Sequence, residues 1–146
     1  MNPYLRFLLL FLISSVSPCF AHHMAVIVDK SNPVGNLTSA HLAKIFRMEN
    51  RKWTDGRDVV VVLHSASAGE KATLERLLKI SDNEWQALVA AHKTSLKVVG
   101  SDSEALDFVE STAGAIGLVD MHSINGQINV VKVDGKLPTE AGYLPH

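Results

Sequence analysis

Apolar residues along the chain fall into short continuous runs separated by amphipathic segments with polar starts, the pattern of buried strands alternating with helices. The first strand-length run is "AVIV" (25–28), and the turn-rich "SNPVGN" (31–36) follows it. Thr38 stands where an N-cap belongs. Leu37 and Leu42 have the spacing of a hydrophobic staple, and Leu42, Ile45 and Phe46 share one helical face, which predicts a helix ending near Met48. "VVVVL" (59–63) does not alternate, as expected of a strand covered on both faces. Behind it a helix carries Leu74, Leu77 and Leu78 on its inner side. Ser81 to Glu84 and Ser101 to Glu104 both read S-x-x-E, the capping-box pattern; the first helix buries Trp85, Leu88 and Val89, the second Ala105, Phe108 and Val109. "LKVV" (96–99), "GAIGLVD" (114–120) and "INVVKV" (128–133) complete the strands, with Asn125-Gly126 and Asp134-Gly135 as turns. The order predicts an α/β domain, a mostly parallel central sheet flanked by helices, with no internal repeat or low-complexity tract.

The first 21 residues belong to another class. Arg6 precedes "FLLLFLISSV", too short to span a bilayer, and Cys19 and Ala21 occupy the minus-three and minus-one positions of a signal-peptidase site. The expected division is a signal peptide over 1–21 and one domain over 22–146. Arg6 is the one charge in the leader, so its removal leaves 13 basic residues against 15 acidic ones. A near-neutral domain without a basic patch excludes nucleic acid as an expected partner. Cys19 is the one cysteine, and its loss with the leader fits a periplasmic protein that is stable without disulfides. Proline before Cys19 makes "VSPC" a poor lipoprotein box, so simple secretion is expected.

Candidate chemistry concentrates in "HSASAGEK" (64–71), between the strand and the leucine-bearing helix. Ligands of open α/β sheets sit outside the carboxyl ends of the strands, at helix N-termini, where unpaired amides and the helix dipole favour an anion. Ser65 and Ser67 offer hydroxyls, Gly69 a close backbone approach, His64 or Lys71 charge. The same letters also describe a plain helix start, with Ser67 as N-cap and Glu70 as its capping-box partner, and a carboxylate in the first turn opposes an external anion. Other sites are weaker. A histidine at a free amino terminus, His22 beside His23, is able to chelate copper, although chain ends are commonly mobile. His41, His92 and His122 lack metal-ligand spacing, so no metal or cofactor is expected. His64 with Ser65 and Ser67 lacks the glycines of a nucleophile elbow, so no enzymatic activity is expected. "RMENRKW" (47–53) reads as a solvated loop with Trp53 tucked against the domain edge, or as a partner contact anchored by Trp and Arg.

Three stretches, "NLTSAHLAKIFRMENRKWTDG", "VVVVLHSASAGEKATLERLL" and "GAIGLVD", in that order and spacing, resemble the phosphate-binding component of bacterial phosphate ABC transporters and its small periplasmic relatives, proteins of type II periplasmic binding fold. The resemblance covers residues 25–133 and implies one lobe of a protein that normally has two. In the family's pattern the strand leads into an arginine, an aspartate and a Ser-Gly-Thr turn that hold phosphate. Those positions fall here on His64, Ala66, Ala68, Gly69 and Glu70, so only the glycine is kept, and the tyrosine of Gly-Ala-Ile-Gly-Tyr is Leu118. What the resemblance implies is a small oxyanion, phosphate-like, held weakly by His64, Ser65, Ser67, Ala68 and Gly69, in uptake or sensing. The implied partner is a periplasmic protein or a membrane transporter, and the expected state is a monomer or weak dimer. The other reading keeps the fold, loses the ligand and makes the protein a non-transport periplasmic interaction domain.

Overall fold

The computed structural model describes residues 23–145. The expected leader, its cleavage site, Cys19 and His22 lie outside them. Six strands form one sheet: β1 (Met24–Asp29), β2 (Asn36–Leu37), β3 (Val60–His64), β4 (Leu96–Val99), β5 (Ala115–Asp120) and β6 (Ile128–Val133), in the spatial order β2-β6-β1-β5-β3-β4. Four α-helices accompany them: α1 (Ser39–Phe46), α2 (Ala68–Leu78), α3 (Asp82–Ala91) and α4 (Asp102–Ser111); a short 3-10 turn covers Met121–Ser123. The expected α/β domain with a mostly parallel sheet is what forms. β3 runs parallel to β4 and β5, and β2 parallel to β6, while β1 alone runs antiparallel to both its neighbours.

Alternation along the central strands explains the layers. Met24, Val26 and Val28 of β1 and Ile116 and Leu118 of β5 join α1, α2 and Trp85 in the larger cluster. Ile27, Ala115 and Val119 point the other way, onto Ala105, Leu106 and Val109 of α4. With helices on both faces the strands read as continuous apolar runs, which is why "VVVVL" shows no period. Leu37 and Leu42 are both in the larger cluster, as the staple requires, and Thr38 accepts from the His41 amide.

Several boundaries differ from expectation. α1 stops at Phe46 with Arg47 as its cap, and Met48 turns the chain out with φ 62. β2 forms at the end of the stretch read as turn, because Asn36 and Leu37 pair with Lys132 and Val133. Of the two expected capping boxes, Ser81–Glu84 is complete. At α4 Ser101 accepts from the Glu104 amide, but the Glu104 carboxylate reaches past it to the Gly100 amide, 2.9 Å away. Asp134 and Gly135, at φ 50 and 76, turn the chain after β6. Tyr143 then locks the C-terminal segment onto the sheet: its hydroxyl donates to the Val131 carbonyl at 2.5 Å and accepts from the Val26 amide at 3.0 Å. Trp53 is buried and donates to the Gly114 carbonyl at 2.9 Å, tucked against the domain as one of its two readings expects.

Candidate functional site

Because β3, β4 and β5 are parallel, their carboxyl ends lie together, and the N-termini of α2 and α4 start there too. The structure brings His64, Ser65, Ser67, Ala68 and Gly69 to this edge in the short turn from β3 into α2. The turn is local and self-consistent. The Ser67 amide donates to the His64 carbonyl at 3.1 Å, and the Ser67 hydroxyl accepts from the Glu70 amide at 3.1 Å, making Ser67 the N-cap. Ser65 is tied to β4, its amide and hydroxyl both donating to the Val99 carbonyl at 3.1 and 3.3 Å. A cap serine satisfies the third helical amide and leaves the first two, here those of Ala68 and Gly69, facing outward from the helix start.

Glu70 departs from the sequence reading. Its side chain does not return to the Ser67 backbone to close a capping box. It turns inward, 2% exposed, and its Oε2 accepts from the His64 amide at 2.7 Å. Its Oε1 is buried without a hydrogen-bond partner. Loss of hydration pushes the carboxyl up to about 8, the His64 amide opposes that rise, and the charge of Asp102 adds to it. At neutral pH the neutral form of Glu70 is therefore favoured, while its Oε2 accepts from the His64 amide.

Asp102, at the first position of α4, was not singled out by the sequence, yet it joins three elements. Its Oδ1 lies 2.9 Å from His64 Nδ1, and its Oδ2 accepts from the Asp120 amide and the Ser123 hydroxyl, each at 3.0 Å. His64 Nε2 lies 3.1 Å from the Gly100 carbonyl, so both ring nitrogens face acceptors. A carboxylate at a helix N-terminus also gains from the dipole. The signal available in the sequence was only that of an acid in the first turn of a helix, which is common and says nothing of strands 38 residues away.

Other expected contributors are elsewhere. Lys71 pairs with Asp82 of α3 at 2.6 Å rather than joining the turn. His41 contacts Asn50, His92 contacts Arg51, and His122 pairs with Asp120, so the three histidines are dispersed. Among the described residues no group of three metal-ligating side chains occurs, and no helix is long and apolar enough to cross a membrane. A cleft of about 190 Å³ opens beside the turn, lined by His64, Ser65, Glu70, Trp85, Val89 and Val98 among others. Chemically, four hydrogen-bonding groups at the strand ends, the His64 amide and ring, the Asp120 amide and the Ser123 hydroxyl, are already taken by two carboxyl groups of the chain.

Residues 18–144 match the profile described as a PBP superfamily domain. Three solved structures share the fold: an ABC-type phosphate transport receptor from Vibrio cholerae (22% identity, TM-score 0.65), a phosphate ABC transporter substrate-binding protein from Clostridium perfringens with bound phosphate (22%, 0.66) and PstS from Borrelia burgdorferi (23%, 0.65). Each alignment covers 80% of this chain and 48%, 46% and 49% of the other. The chain thus spans about half the length of the structures it matches, as a single lobe does.

Proposed function

The chain belongs to the PBP superfamily, and we propose that within it the protein is an exported, periplasmic solute-binding-type lobe related to phosphate uptake or sensing, with weak affinity of its own for a phosphate-like oxyanion. The observation that supports this reading is the start of α2 at the carboxyl end of β3. The Ala68 and Gly69 amides are left uncapped there, while the stronger donors nearby are held by Glu70 and Asp102. Two amides at a helix N-terminus attract an anion. Without an arginine, and with the Asp102 charge close by, they cannot make a tight site for a doubly charged one. A single lobe also leaves most of the ligand's charge in water. Dissociation in the millimolar range, about −4 kcal/mol, follows. Higher affinity requires a second chain or a partner protein to close the open face.

Backbone amide spectra during a phosphate titration test this directly. Shifts centred on Ala68 and Gly69 that saturate at millimolar phosphate are expected; shifts scattered over the surface, or none, would reject the reading. The second reading, a non-transport periplasmic interaction domain, draws on the same two carboxyl groups. A site whose donors are already satisfied holds its shape without any ligand.

A further inference from the structure

Asp102 is held as a bound oxyanion would be held. One oxygen meets His64 Nδ1 at 2.9 Å; the other takes the Asp120 amide and the Ser123 hydroxyl at 3.0 Å each. The donors come from the end of β3, the end of β5 and the 3-10 turn, and the group sits on the first turn of the ten-residue α4. Six residues after His64, Glu70 takes the His64 amide on one oxygen, at 2.7 Å. A second, separate observation marks the adjoining start of α2, built on the same His64, as an incompletely satisfied position. Glu70 lines the 190 Å³ cleft, is 2% exposed, and keeps Oε1 buried without a hydrogen-bond partner.

We propose that the Asp102 carboxylate is a resident substitute for an external oxyanion, and that Asp102, with the neutral Glu70 carboxyl on the neighbouring His64 amide, occupies the donors at the carboxyl ends of β3 and β5 and so sets how weakly the lobe binds phosphate or a small carboxylate. The inference rests on the reading above and names the residues that determine its affinity. Truncating Asp102 to alanine removes one negative charge and releases three donors, the His64 ring, the Asp120 amide and the Ser123 hydroxyl, into a gap of carboxylate size. Truncating Glu70 releases the His64 amide. Acetate is the natural probe because it restores the atoms removed from Asp102, and phosphate tests whether the released donors accept a larger anion.

The experiment titrates the wild-type protein, Asp102→Ala and Glu70→Ala with acetate and with phosphate against sodium chloride of equal ionic strength, reading backbone amide shifts. At least tenfold tighter acetate binding in Asp102→Ala than in wild type is expected, with shifts centred on His64, Asp120 and Ser123. Glu70→Ala should show an acetate-dependent shift of the His64 amide that the wild type lacks. Wild-type affinity in both variants, or shifts that chloride reproduces, would overturn the proposal. Should Asp102→Ala unfold, recovery of the native spectrum by acetate and not by chloride supports it. If it does not recover, Glu70→Ala decides: a gain there supports the proposal and its absence overturns it. The reading of the parent protein is judged separately, on the wild-type phosphate titration. A wild type blind to phosphate defeats that reading while a gain in the variants still stands, and a weakly binding wild type with unchanged variants does the reverse.

Discussion

Replacing Glu70 by Gln should make the protein more stable as pH rises, by an amount that the burial of the carboxyl sets. In the folded protein this group is pushed up to about 8 from an ordinary value of 4.5. The unfolded chain releases the proton near 4.5, the folded chain keeps it to about 8, and between those values the folded state binds the extra proton. Wild-type stability is therefore full below the lower value and falls as pH rises through the window. Each unit is worth about 1.4 kcal/mol, so the ceiling is about 5 kcal/mol, and local rearrangement that readmits water to the ionised group brings the expected loss to about 2–4 kcal/mol. Glutamine keeps the acceptor for the His64 amide and carries no ionisable proton, so it has no such loss. Asp102 and His64, the ionisable groups facing Glu70 from the neighbouring elements, are present in both proteins and drop out of the difference. Urea unfolding at pH 4.5, 6, 7.5 and 9, followed by the fluorescence of Trp53 and Trp85, provides the two curves. The Gln variant should match or fall slightly below wild type at pH 4.5 and exceed it by about 2–4 kcal/mol at pH 9. Parallel curves across this range would refute the burial argument, because they would mean that Glu70 ionises in the folded protein as readily as in the unfolded one.

Three further outcomes are expected. Ser67→Ala should lower stability by about 0.5–2 kcal/mol in urea unfolding, the cost of the N-cap on the Glu70 amide, and leave phosphate affinity within a factor of two, since the proposed binding rests on the Ala68 and Gly69 amides. Tyr143→Phe should cost about 1–3 kcal/mol in the same assay, because the Val131 carbonyl and the Val26 amide lose a partner within the sheet. Expressed in full length in a Gram-negative host, the protein should be recovered from the periplasm with an N-terminus at or near His22 by mass spectrometry; a membrane-bound form acylated at Cys19 would contradict the leader assignment.

What the sequence makes legible is what short-range chemistry decides. Strand runs, the Thr38, Ser67, Ser81 and Ser101 caps and the Asp134-Gly135 turn all depend on residues within four positions of one another, and each is where its spacing puts it. β1 is less legible: its apolar run fits either strand direction, and its antiparallel pairing to β5 and β6 is a matter of topology. The candidate site divides the same way. His64, Ser65, Ser67, Ala68 and Gly69 gather because they are consecutive. Glu70 was assigned to the Ser67 cap because S-x-x-E permits it, whereas the His64 amide, six residues back, competes for the same carboxyl and wins at 2.7 Å. Asp102 was invisible because its partners His64, Asp120 and Ser123 are 18 to 38 residues away in the chain and meet only once the parallel strands are side by side.

One lobe, with its best donors held by its own carboxyl groups, should bind phosphate weakly. Calorimetric titration of residues 22–146 with phosphate, on protein whose mass in solution is fixed by analytical ultracentrifugation, tests it most directly. A monomer or weak dimer with a dissociation constant near the millimolar range is expected. Micromolar phosphate affinity in a strictly monomeric protein would contradict it.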